Sequence, residues 1–181
     1  MKSSYNNNIN YCDLISGITF MQNPKTIVEF GILEGASLKT FIDNTSNSCN
    51  IIAYDIFDEF NGNGSNKDEL NKTFSKYSNV SISYSDFYKQ YKNIEDNSVD
   101  ILHIDIANNG DVIEFALENY MKKLSKNGIL LFEGGSQQRD QVEWMDKYNK
   151  PKIHHVLEKY KEKYSIITIG EVPSLTIVKS N

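Results

Sequence analysis

Short apolar runs alternate with stretches of helical periodicity along most of the chain. The runs at 26–30 (TIVEF), 51–55 (IIAYD), 80–84 (VSISY), 99–105 (VDILHID) and 129–133 (ILLFE) have the length and the β-branched content of buried strands. Between them, 36–44, 66–77, 111–124 and 138–148 place apolar residues at the spacing of one helix face. Asp111 followed by Glu114 ahead of Phe115 and Leu117 reads as a capping-box-like helix start, with Asn127-Gly128 as the stop before the next strand. After Pro151 the pattern predicts a helix to about Tyr160, and 165–169 (SIITI) and 175–179 (LTIVK) flank a turn with Gly170 and Pro173, as a hairpin would. Residues 1–25 form an extension: Asn-rich from Asn6 to Asn10, then Leu14, Ile15, Ile18 and Met21 at helical spacing. Residues 26–181 read as one α/β domain with a mainly parallel sheet. No internal repeat interrupts it, and Asn61–Asn66 (NGNGSN) reads as a surface loop.

Composition narrows the partners. At 181 residues and 39% apolar content the chain can bury a core without a staple. The net charge is −5, and the 19 basic residues are 18 Lys and one Arg, Arg139. That balance argues against nucleic acid, whose binding rests on phosphate neutralisation. No apolar run approaches the length of a membrane span. Cys12 and Cys49 have no ligand-like spacing and read as reduced thiols of a cytoplasmic protein.

The chemistry concentrates where strands end. Between the first strand and the first following helix lies Glu29-Phe30-Gly31-Ile32-Leu33-Glu34-Gly35-Ala36-Ser37, whose glycines allow a tight turn and close backbone approach to a ligand. The G-x-x-x-G spacing departs from the dinucleotide fingerprint, so a nicotinamide-dependent reductase fits poorly, and the Gly-Lys-Ser/Thr of a P-loop is absent. Glu29 beside the glycines suits a ligand with a positive head group better than a phosphate. Asp55, about 20 residues beyond Gly35, stands where a carboxylate accepts ribose hydroxyls. Asp86 precedes the aromatic Phe87, and Asp105 ends the fourth strand, so that Glu29, Asp55, Asp86 and Asp105 fall at successive strand ends.

In this order the motifs resemble the class I S-adenosylmethionine-dependent methyltransferases over roughly 26–179, and VDILHID followed later by NGILLFEGG looks most like the small-molecule O-methyltransferase branch. The resemblance implies a Rossmann-like three-layer sandwich whose seven-stranded sheet is mostly parallel, with an antiparallel strand from the C-terminal hairpin. It also implies S-adenosylmethionine across the ends of strands one to four. Carried over by position, Glu29, Gly31 and Gly35 hold the methionine part, Asp55 the ribose, and Asp86 with Phe87 the adenine; Ile32, Ser37, Ile56, Phe57 and Asp105 complete the cofactor site. Where that branch carries Gly-Asp-His after the fourth strand, this chain has Ile106-Ala107-Asn108, and where a His-Asp pair is common after the fifth it has Glu133-Gly134.

Methyl transfer needs alignment and, for a hydroxyl acceptor, a base. Asp105, Glu133 and His103 are the catalytic candidates, with His154 and His155 read as surface residues. A divalent cation held by Asp105, Glu133 and Asn108 is possible but not favoured, because two acids and an amide are a thin oxygen shell. The expected partner is a small polar acceptor. With little chain left for a substrate cap, its pocket draws on the N-terminal helix, short loops or a second subunit, so that a homodimer stays open. Loss of the usual histidine and aspartate leaves an alternative, a binding module that keeps the cofactor pocket without catalysis.

Overall fold

The computed structural model describes residues 11–59 and 65–181. The Asn-rich start and most of the Asn61–Asn66 loop lie outside them. Seven strands, β1 (Thr26–Phe30), β2 (Asn50–Asp55), β3 (Val80–Tyr84), β4 (Val99–Ile104), β5 (Leu124–Glu133), β6 (Tyr164–Gly170) and β7 (Ser174–Ser180), form one sheet in the order β3-β2-β1-β4-β5-β7-β6. β3, β2, β1, β4 and β5 run parallel, and β7 is antiparallel to both of its neighbours. The sheet is the one that the resemblance implies. Helices α1 (Tyr11–Gln22), α2 (Ala36–Asp43), α3 (Lys67–Phe74), α4 (Phe87–Gln90), α5 (Gly110–Asn119), α6 (Glu143–Lys147) and α7 (Ile153–Tyr160) surround it. No helix among the described residues is long and apolar enough to cross a membrane.

Because strand side chains alternate in direction, the buried runs serve two cores. On one face Val28, Phe30, Leu102, Ile104, Leu130 and Phe132 pack with α5 and α7 through Ile113, Leu117, Ile153 and Val156. On the other Ile27, Ile51, Ile101 and Leu131 pack with Ile15 of α1, Leu38 and Phe41 of α2, and Leu70 and Phe74 of α3.

Three boundaries differ from expectation, each through a contact that periodicity does not carry. Asn109, rather than Asp111, caps α5, its Oδ1 accepting the N–H of Asp111 at 3.0 Å. Asn127-Gly128 lies inside β5, which begins at Leu124. Gly128 passes so close to β4 that a Cβ would stand 2.5 Å from the Val99 carbonyl oxygen, and the β4–β5 register shifts there. The helix expected over 138–148 is split into a 3-10 turn, Arg139–Gln141, and α6, with Val142 extended between them.

Ile15 is fully buried in the second core, which makes α1 part of the domain's packing. Ile15→Ala is expected to lower the unfolding free energy by about 2–5 kcal/mol, read by urea denaturation. A loss under ~1 kcal/mol would show α1 to be peripheral.

Candidate active site at the strand ends

β1 lies between β2 and β4, so the chain leaving it enters the crevice where the strand order reverses. Gly31 and Gly35 have φ of 89° and 80°. A Cβ on Gly31 would sit 2.0 Å from the carbonyl oxygen of Asp105, a contact no other residue tolerates. The Asp105 N–H donates to Phe30 O at 2.8 Å and the Gly31 N–H to Tyr54 O at 2.9 Å, which draws β1, β2 and β4 together at this point. Asp55 is buried at the end of β2, and its carboxylate accepts the N–H of Ile32 at 2.7 Å and that of Phe57 at 2.7 Å. The acid expected at a ribose therefore also fixes the glycine loop, and each carboxylate oxygen can accept more than one hydrogen bond. Phe57 buries its ring in the second core, while Ile56 stays half-buried.

Beneath the loop runs a buried polar chain. Glu29 Oε1 accepts Ser37 Oγ at 2.5 Å and His103 Nδ1 at 2.9 Å, and His103 Nε2 shares a hydrogen bond with the Tyr11 hydroxyl at 3.2 Å. Phe41 packs edge-on against the imidazole. Glu29 Oε2 is buried without a partner, a costly arrangement that a cationic or N–H donor would relieve. His103 is wholly buried. It faces this chain rather than solvent, which suits it to holding Glu29 and not to taking a proton from an acceptor.

Asp86 caps α4, accepting the Tyr88 N–H at 2.9 Å, and Lys89 beside it holds its carboxyl below the usual range. Phe87 is buried, stacked on Tyr120 with centroids 5.1 Å apart. The exposed ring next to Asp86 is that of Tyr88.

At the ends of β4 and β5 the two candidate acids differ. Asp105 opens to solvent at the crevice, yet burial by the surrounding walls pushes its carboxyl up to about 6. The charges of Glu133 and Glu29 add to the shift, and those of His103 and Arg139 oppose it. Glu133 is buried in a forked pair with Arg139, whose Nε donates to Oε1 at 2.7 Å and whose Nη2 donates to Oε2 at 2.6 Å. Arg139 Nη1 also reaches Met145 Sδ at 3.0 Å, and the guanidinium lies over the Trp144 ring. Both Glu133 oxygens face Arg139, so this carboxylate has no free edge to offer an acceptor. Asn108 clasps the two strand ends, donating from Nδ2 to Ile104 O and Glu133 O at 3.0 Å each. A divalent cation does not fit here: both Glu133 oxygens are engaged and Arg139 would repel it. Among the described residues no three His, Cys, Asp or Glu side chains gather as a metal site.

Gly134 and Gly135 form a tight turn, since a Cβ on Gly135 would lie 2.2 Å from Thr176 Oγ1. Ser136 then receives the Arg139 N–H on its hydroxyl at 3.0 Å. His154 bonds Gln137 at 3.1 Å on α7, and His155 is exposed. Arg139 and Tyr11, which hold Glu133 and His103, belong to no motif in the sequence. The one signal for Arg139 was that it is the chain's sole arginine.

Removing one partner of such a pair leaves a buried charge. Arg139→Met is expected to cost about 3–5 kcal/mol of stability by chemical denaturation, and Glu133→Gln added to it should recover part of that loss. Equal stability of wild type and Arg139→Met would show the pair to be dispensable.

Residues 28–133, more than half of the chain, match a protein family described as a methyltransferase domain. No curated protein matches the sequence. Among solved structures the chain resembles a methyltransferase from Geobacter sulfurreducens (16% identity, TM-score 0.68, 96% of this chain and 80% of that one). An O-methyltransferase from Bacillus cereus in complex with S-adenosylhomocysteine is similar over 98% of this chain and 84% of its own, at 14% identity and TM-score 0.68. A Podospora anserina methyltransferase bound to S-adenosylhomocysteine is similar over 94% and 77%, at 16% identity and TM-score 0.68. At such identities the likeness is one of fold, and it agrees with the sheet order and the glycine loop after β1. The family match carries the assignment: this chain belongs to the methyltransferase domain family, in its class I, Rossmann-like form.

Proposed function

We propose that this chain is an S-adenosylmethionine-dependent methyltransferase that methylates an oxygen of a small polar acceptor, working in the cytoplasm with Cys12 and Cys49 reduced. The observation that carries the reading is Asp105, a solvent-reaching carboxylate raised to about 6 beside the glycine loop. The cofactor, when bound, supplies an electrophilic methyl group on a sulfonium. The residues present fit it: beside the glycine loop Glu29 Oε2 is a buried acceptor without a donor, suited to a ligand that brings a cationic or N–H group. Glu29, Gly31, Ile32, Gly35 and Ser37 flank the amino-acid end, Asp55, Ile56 and Phe57 the ribose, and Asp86 and Phe87 the side toward adenine, where Tyr88 offers the open ring.

The proton of a hydroxyl acceptor goes to a carboxylate oxygen of Asp105. A pKa near 6 leaves the group about nine-tenths ionised at pH 7 and a stronger base than an ordinary carboxylate. Its negative charge also favours a cationic ligand in the crevice. Glu133 serves by pinning Arg139 and the turn after β5, and His103 by holding Glu29.

Calorimetry with S-adenosylhomocysteine tests the pocket: failure of the wild type to bind would overturn the reading, and binding without turnover on any acceptor would favour a non-catalytic binding module. Asp55→Ala should weaken that binding by about 1.5–3 kcal/mol, the range for hydrogen bonds to a charged group; unchanged affinity would remove Asp55 from the site. Asp105→Asn should lower kcat by about 10²–10⁴-fold. Wild-type turnover should fall as pH drops below about 6, where Asp105 becomes protonated. The same raised pKa makes the stability contribution of Asp105 full below its ordinary 3.8 and lost as pH rises through about 6. Asp105→Asn should accordingly raise the thermal midpoint at pH 8 but not at pH 3.5. A kcat indifferent to Asp105→Asn would assign the proton elsewhere.

A further inference from the structure

β6 is an edge strand: it pairs with β7 and with no other strand among the described residues. Natural edges are guarded by charge, proline or a bulge, because open N–H and C=O groups invite a second strand. Tyr164–Gly170 (YSIITIG) has no charged residue and no proline, and its register with β7 is unbroken over seven positions. Ile167 and Ile169 share one face and are 59% and 38% exposed, with half-buried Ile177 of β7 opposite Ile167. An apolar, unguarded edge of this length calls for a cover.

The flanking charges say what kind of cover. Lys163 directly precedes the strand and Glu171 directly follows it, and neither makes an ion pair among the described residues. We propose that two copies of this chain pair through β6, antiparallel and centred on Ile167, to form a homodimer with one continuous sheet. In that register Ile167 meets its own copy on the two-fold axis, Ser165 faces Ile169 of the partner subunit, and Lys163 faces Glu171 of the partner subunit. The charge pair occurs twice, once at each end. Directly opposed cross-strand side chains of opposite charge attract, and like charges there repel. The two-fold makes the contact self-complementary and closed. The other sheet edge, β3, has five residues flanked by Asn79 and Ser85, and offers no complementary charges for head-to-tail growth.

Pairing also bears on the opposite face of β6. A groove of about 500 Å³ between β6 and α7 is lined by Gln137, His154, Leu157, Lys161, Ile166 and Thr168, and lies beside the turn that follows β5. Ile166 would face Thr168 of the partner subunit, so the two grooves meet across the axis and each is walled by the other copy.

Light scattering on the size-separated full chain should give twice the 20.7 kDa of one chain. Ile167→Lys, which sets two charges together on the axis, should give a monomer with an unchanged circular dichroism spectrum. Glu171→Lys alone and Lys163→Glu alone should each weaken the dimer by about tenfold or more, since two cross-strand pairs turn repulsive. Both changes in one chain should restore it. A monomeric wild type at about 100 µM, where a Kd of that order leaves half of the chains paired, a dimer indifferent to Ile167→Lys, assemblies larger than two, or failure of the charge exchange to restore pairing would each overturn the proposal. The charge variants lie on the surface, so the test stands even where Ile167→Lys does not fold. None of these outcomes depends on cofactor binding.

Discussion

The close passage of Gly31 over the backbone of Asp105 is the constraint on which the site is built. Parallel strands separated by a crossover have no intrinsic reason to end at the same level. Here β1 and β4 do, because the Phe30 carbonyl takes the Asp105 N–H and the next residue has no Cβ to hold the chains apart. Once that contact is made, the glycine loop can only arc away over α2, where the Asp55 carboxylate ties Ile32 down. Asp105 is then presented at the mouth of the crevice with its backbone already committed. The Asp105 carboxylate and the glycine loop are thus two sides of one contact, and a change to either would move both.

Two buried acidic systems flank this contact and have opposite consequences. Glu133 is neutralised by a guanidinium that meets it with two parallel donors, the geometry that makes arginine irreplaceable by lysine. Glu29 is held by a hydroxyl and an imidazole on one oxygen, and its other oxygen stays unsatisfied. The first system is complete and rigidifies the end of β5. The second is incomplete, and a protein that carries an unmet buried acceptor beside its glycine loop gains from a donor arriving there. Asp105 lies between them and feels the fields of both.

The fold was legible because its central strands, β1, β4 and the second half of β5, are continuous apolar runs buried on both faces. The positions of Glu29, Gly31, Asp55 and Asp105 were legible for the same reason: each stands at the end of a strand or one residue to either side of it. What escaped was whatever depends on partners distant in sequence. Tyr11 meets His103 across 92 positions, and periodicity contains no trace of it. The helix expected over 138–148 breaks because Arg139 turns inward to Glu133 and its N–H is taken by Ser136, a tertiary pull stronger than local preference. Phe87 after Asp86 looked like a wall for a base, yet its ring completes an aromatic stack with Phe30 and Tyr120. An aromatic after an acid reads the same in either setting until the neighbouring rings are placed.

The pairing of Glu133 with Arg139 has one more consequence, for how a biased composition is read. Eighteen of the nineteen basic residues are lysine, so this chain meets nearly every need for positive charge with one residue type. Solvated positions tolerate that uniformity because a lysine there asks only for water. The position that breaks the habit is one where a point charge on a flexible stem would leave an oxygen, a thioether and an indole face unserved. In a lysine-dominated protein the rare arginine therefore works as a marker of shape: scarcity itself points to the place where geometry, rather than charge, was the requirement.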